Sequence, residues 1–249
     1  LRIMKFLELL WKTIKLYSDI ITENGIDFVS GLWITIYITA ISLIFSVLIG
    51  IGIGYLNSIP VKNKGVSKVL IKVSQWFGRK YIDLIRGTPL LVQAIFFYFG
   101  VVPLIINPIL KNIGIGDMSA EISGIIVISL NAGAYLSEIF RGGIQSIDIG
   151  QMEAARSLGL PFSKSMSKVI LPQAFKNTIP SILNQFIISL KDTSLLMIIG
   201  VADLMGKGKI AYQKNYRVFE TMLIIAIIYY VVIRILAILF KRIEEGLKV

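Results

Sequence analysis

Long uncharged stretches separated by short basic ones set the pattern of this chain. Phe28 to Val61 runs 34 residues without a charge, and Gly87 to Leu110 runs another 24. Ile122 to Ser137 gives 16 more and reaches Phe140 if Glu138 is tolerated. Thr178 to Val201 is apolar except at Lys191 and Asp192, and Thr221 to Phe240 except at Arg234. A helix crosses the hydrocarbon core with about 20 apolar residues. The pattern predicts an all-α integral membrane protein with five transmembrane helices.

The first 25 residues follow a different period. Charges at Arg2, Lys5, Glu8, Lys12, Lys15 and Asp19 recur every three or four positions, leaving an apolar face with Phe6, Leu10, Trp11 and Leu16. This is the pattern of an amphipathic helix lying in the membrane interface, and no small-residue cleavage site follows it. The expected division is an interfacial helix over 1–25, as an anchor or a lead-in, and a membrane domain over 26–249.

Composition supports this picture: 55% of the 249 residues are hydrophobic and 16% charged, with a mean hydropathy of +0.76. The net charge of +11 sits beside apolar spans, which suits a membrane surface better than nucleic acid. Cysteine and histidine are both absent. Thiolate nucleophiles, disulfides and His-ligated metals are excluded, and the usual general base is missing.

Five spans put the two ends on opposite sides. With the N-terminus outside, the inner segments 57–86, 141–179 and 241–249 carry fifteen Lys and Arg, against nine in 1–27, 101–121 and 201–218. The positive-inside rule favours this orientation. It places the C-terminus and the loop 141–177 in the cytoplasm.

That loop has internal order. Gln151 to Leu158 is a good helix former, and Gly159 suits the left-handed residue that ends a helix. Ser163 is expected to cap a second short helix through Val169, and Pro172 to break or kink the approach to the next span. Glu153 offers one directed charge, while Ala154 and Ala155 permit close approach. The segment reads as a small helical plug for a partner protein rather than a plain connection.

Polar groups inside spans are costly and mark candidates for function. They are Gln93, Asn131, Glu138, Gln185, Lys191, Asp192 and Arg234. Glu138 and Arg234 lie near the inner ends, where snorkelling or an ion pair accounts for them. Asn131 faces either a cavity or a neighbouring helix. Lys191 and Asp192 point about 100° apart on a helix and require a broken helix, a partner or water. Gly50, Gly52 and Gly54 include a Gly-x-x-x-Gly and suit close helix crossing.

These residues carry a resemblance. Glu153, Ala154, Ala155, Gly159, Leu171 and Pro172 match the EAA signature of permease subunits of ABC importers for polar amino acids, the histidine/glutamine/arginine group. Val169 replaces a frequent Ile. Arg86 to Gln93, Asn131 to Gln145 and Asn184 to Leu195 agree as well, so the resemblance covers about residues 30 to 245.

It implies a bacterial inner-membrane, multi-pass protein whose loop is a coupling helix docking on a separate ATPase. No Gly-x-x-x-x-Gly-Lys-Ser/Thr occurs here, so no cofactor is expected on this chain, and ATP with Mg belongs to the partner. A second permease chain, identical or paralogous, and an extracytoplasmic amino-acid-binding protein are the other implied partners. Gln93, Asn131, Gln185, Lys191, Asp192 and Thr193 become the expected substrate pathway. Relatives handling cationic amino acids tend to carry Glu where Gln185 stands, so a neutral side chain such as glutamine is favoured. A permease for basic amino acids or cystine is the alternative, with a secondary amino acid transporter behind it. An intramembrane hydrolase lacks a base, and a scaffold has no use for the ordered loop.

Overall fold

The computed structural model describes residues 2–59 and 66–247. Leu1, residues 60–65 and 248–249 lie outside that description. So do the last two residues of the Phe28 to Val61 run, and the side chains of Arg2 and Phe6 named in the amphipathic pattern. Every regular element among the described residues is helical. The α-helices are α1 (Arg2–Ser58), α2 (Val66–Arg86), α3 (Leu90–Ile95), α4 (Asn107–Asn112), α5 (Ala120–Gln145), α6 (Ile149–Ser157), α7 (Phe162–Ser165), α8 (Leu171–Asp192), α9 (Leu204–Asn215) and α10 (Val218–Leu247).

Five runs are long and apolar enough to cross a bilayer: Leu10–Ser58, Leu90–Asn112, Ala120–Gln145, Phe162–Ile199 and Val218–Gly246. The all-α, five-span expectation holds. Its boundaries need two corrections. The N-terminal 25 residues are not a separate element, because α1 continues unbroken for 57 residues. No proline interrupts it, and Ile20 and Phe28 join the apolar cluster formed by Leu204, Ala211, Ile224 and Ile225 of α9 and α10. A shared packing face therefore carries the helix through the expected boundary.

The second correction concerns the approach to the fourth span. Pro172 neither breaks nor ends a helix. A π-helical turn over Met166–Ile170 joins α7 to α8, and Leu171 N–H donates to Met166 O, five residues back. Pro172 occupies the first turn of α8, directly after this wider turn, where its missing N–H is tolerated. Ser163 caps nothing: Pro161 is the N-cap of α7 and makes no side-chain bond there. The second span also holds a π-helical stretch, Phe96–Ile106, between α3 and α4, with Pro103 inside it.

Helix α5 is the centre of the bundle. It runs parallel to α1: Ser42 Oγ donates to Ile125 O at 3.2 Å near one end. Near the other, a Cβ on Gly50 would stand 2.7 Å from Leu136 Cβ, and one on Gly54 2.9 Å from Phe140 Cβ. Gly50 and Gly54 are thus the residues that let the backbones cross, while Gly52 faces open space. Helix α8 runs antiparallel to α5: Phe175 near its start stacks on Phe140 at 6.0 Å, while Leu196, just past its end, packs over Gly124. These directions bring the ends of α1 and α5, the whole of α6 and the start of α8 to one end of the bundle. Helix α10 runs toward that end: Tyr229 meets Asp203 beyond the end of α8, and Phe240, farther along, packs edge-on against Phe186 of α8 at 5.6 Å.

Candidate transport pathway and coupling hairpin

The α2–α3 junction interrupts the helical chain beside α5. Gly87 N–H closes α2 by donating to Asp83 O at 2.9 Å. Pro89 is extended and opens α3. Gln93 holds the intervening turn: its Nε2 donates to Ile85 O, Thr88 O and Thr88 Oγ1 at 2.8, 3.0 and 2.9 Å. Its Oε1 accepts from Asn131 Nδ2 of α5 at 3.0 Å.

A second interruption faces the first. The α-helical geometry of α8 ends at Asp192 and tightens into a 3₁₀ segment, Thr193–Ile199, closed by Gly200 in the left-handed region at φ 92°. Between the two breaks lies a cavity of about 560 Å³ lined by Arg86 to Leu90, Asn131, Tyr135, Gln185, Ile188 and Asp192. Arg86 and Asp192 contribute opposite charges to its wall. The Arg86 guanidinium lies over the Tyr135 ring at 5.3 Å from its centre. It also faces Glu138 at 3.9 Å, whose carboxylate is held chiefly by Arg141 at 2.7 Å. That charge network satisfies the ion-pair reading of Glu138. Arg234 is exposed on α10.

Gln185 differs from the other amides. Its residue is only 5% exposed, it lines the cavity, and among the described residues its side chain has no hydrogen-bond partner. Asn57 Oδ1 is the one fully buried side-chain polar atom without a partner among the described residues, so the Gln185 amide stays open to the cavity, where it can meet water or a ligand.

Of the expected pathway residues, Asn131, Gln185 and Asp192 come together in this cavity. Three others do not. Gln93 stands behind the wall, its amide committed to the turn. Lys191 lines a different cavity of about 360 Å³ with Ser194, Met205 and Tyr229. Thr193 is fully buried, donating to Leu190 O. The 100° step between neighbours on a helix separates Lys191 and Asp192 onto different surfaces, as their adjacency required. Arg86 and Tyr135 were not singled out as lining residues from the spacing, because only the folded turn aims them into the space beside α8.

The loop between α5 and α8 is a helical hairpin. Asp148 caps α6, accepting from Gly150 N at 2.7 Å. Gly159, at φ 84°, ends it: Gly159 N donates to Arg156 O and Leu160 N to Ala155 O, satisfying terminal carbonyls. The expected glycine terminus is present, though the helix starts at Ile149, two residues before Gln151. Glu153 and Ala154 are exposed, whereas Ala155 is buried inside the hairpin and Leu171 is half-buried. Ala155 therefore serves internal packing rather than partner approach. Leu158 is 84% exposed at the tip.

Comparison with known proteins fits this geometry. Residues 69–249 match the family model for the inner membrane component of binding-protein-dependent transport systems. The chain belongs to this family. It is 36% identical over 223 residues to the arginine transport system permease protein ArtQ of Bacillus subtilis, covering 88% of this chain and 91% of that one. It is 37% identical over 169 residues to the glutamine transport system permease protein GlnP of Escherichia coli, covering 68% and 74%. A crystal structure of an amino acid ABC transporter with histidines superposes with a TM-score of 0.76 at 35% identity, covering 91% of this chain and 96% of that one. The protein is an ABC transporter permease subunit and a multi-pass membrane protein.

Proposed function

We propose that this chain translocates a polar amino acid, with glutamine favoured, through the cavity between the α2–α3 junction and the end of α8. The unbonded amide of Gln185 on the cavity wall carries the reading. An amide presents one donor and one acceptor group and so matches a neutral amide side chain, whereas a cationic side chain buried there has no counter-charge at that position. In this reading Arg86 meets the substrate carboxylate and Asp192 its ammonium group, and Asn131 shares the same cavity wall.

Energy comes from a separate ATPase docked on the hairpin through Glu153, Ala154, Gly159 and the exposed Leu158, with Leu171 and Pro172 setting its angle to α8. The chain itself holds no cofactor; ATP and Mg sit on the partner. A second permease chain completes the pathway and an extracytoplasmic binding protein delivers the substrate. The basic bias of the segments at the hairpin end supports an external N-terminus and a cytoplasmic C-terminus.

Uptake of radiolabelled amino acids into proteoliposomes carrying the assembled transporter tests the substrate. Glutamine is expected to be taken up in preference to arginine, and Gln185→Glu to reverse the order. Arginine preference in the parent protein overturns the glutamine assignment.

A further inference from the structure

Helix α2 divides into three faces at about 100° per residue. Gln75, Gly78 and Ile82 are buried against the bundle. There Gln75 Nε2 donates to Leu56 O and Ile59 O at 3.0 and 2.9 Å, closing the end of α1. Val69, Leu70, Val73, Phe77 and Leu84 form an exposed apolar strip on the side away from that contact. Lys68, Lys72 and Arg79 fall within a third sector of about 40°, spread over about 16 Å of helix axis. All three are exposed, and among the described residues none pairs with a carboxylate. Trp76 lies at the border between cations and apolar strip, half exposed, with Phe77 edge-on at 4.9 Å. Lys80 sits within the apolar strip and reaches Asp83 at 3.9 Å.

We propose that α2 lies in the membrane interface and binds anionic phospholipid headgroups through Lys68, Lys72 and Arg79. The apolar strip enters the acyl layer, Trp76 sits at headgroup level, and the adjoining cations meet the phosphates. Charge selects this occupant. A protein seated on the strip must strip water from three neighbouring cations, and a second copy of this chain brings a net charge of +11 of its own. The site bears on transport because α2 ends at Arg86, on the cavity wall. Headgroups holding α2 therefore hold one side of that wall.

Trp76 is a built-in reporter among the three tryptophans of the chain. The test uses the assembled transporter with Trp11→Phe and Trp33→Phe, reconstituted in vesicles containing either brominated phosphatidylglycerol or brominated phosphatidylcholine at equal mole fraction. Subtracting the same preparation with Trp76→Phe isolates the reporter. One cation near an anionic surface favours it roughly five-fold. The phosphatidylglycerol probe is expected to quench at least about two-fold more, even with partial screening. Lys68→Gln/Lys72→Gln/Arg79→Gln is expected to abolish the preference while leaving quenching by both lipids. If that variant does not fold, 1 M salt on the parent protein must remove the preference instead, as screening requires. Absence of quenching by either lipid means that protein covers the face, and equal quenching means that the cations select nothing. Each of those two results overturns the proposal.

Discussion

Asn131 donates its side-chain amide to Gln93 Oε1 at 3.0 Å, joining the middle of α5 to the residue that ties the α2–α3 turn together. Gln93 thereby has both ends of its amide engaged. It braces the turn that forms one side of the cavity. Gln93→Ala leaves the partly buried Asn131 amide and two carbonyls without this partner, an expected loss of about 1–3 kcal/mol in stability. Uptake assays are expected to show a raised apparent KM for substrate in a chain that still inserts. An unchanged KM with only a lower thermal midpoint assigns Gln93 a purely structural role.

The α1–α5 crossing depends on absent side chains. Gly54→Leu places carbon where Phe140 Cβ and Ser137 O already stand within 2.9 Å of a Cβ. Overpacking of this kind costs about 1–3 kcal/mol or more, so the variant is expected to melt several degrees lower in detergent. Gly52→Ala, facing open space inside the same helix, is the control and should not lower the midpoint, the better helix propensity of alanine raising it slightly if at all.

Coupling is expected to fail at the hairpin without loss of the fold. Gly159→Asp forces a side chain into a left-handed backbone at φ 84°, and Leu158→Asp puts a charge on the exposed tip. Both variants should reach the membrane at parental levels, lose substrate-stimulated ATP hydrolysis by at least about ten-fold and stop transport. Normal transport by Leu158→Asp removes that residue from the docking surface.

Asp203 links stability to pH. It is fully buried before α9, accepting from Gly206 N at 2.9 Å and from Tyr229 Oη at 3.4 Å. Burial pushes its carboxyl from 3.8 up to about 6, against the lowering effect of its hydrogen bonds. The folded protein therefore binds this proton more tightly than the unfolded chain. The resulting stability is present in full below about pH 4 and is lost as pH rises to about 6, on the order of 2–3 kcal/mol. Asp203→Asn keeps an acceptor for Gly206 and should flatten that part of the melting profile. A difference curve between parent and variant that is level from pH 4 to pH 6 contradicts the assignment.

The five membrane-crossing helices, the glycine end of α6 and the helical character of the polar loop were legible along the chain. Each rests on local chemistry: an apolar run of sufficient length, a residue free to adopt positive φ, a polar helix flanked by spans. The continuity of α1 past residue 25 was not legible, because it depends on Ile20 and Phe28 finding α9 and α10. Nor was the passage of the helix through Pro172, which relies on the wider turn at Met166–Ile170.

The pathway divides in the same way. The sequence by itself determined which polar residues enter the membrane-spanning segments, since their cost there is a property of residue type and depth. Only the tertiary structure decided their duties. It turned Gln93 inward to brace a loop, sent Lys191 and Thr193 away from the cavity, and left Asn131, Gln185 and Asp192 on its wall with Arg86. Hydrogen-bond partners and cavity walls come from segments distant in sequence, and their positions exist only once α2, α5 and α8 have packed together.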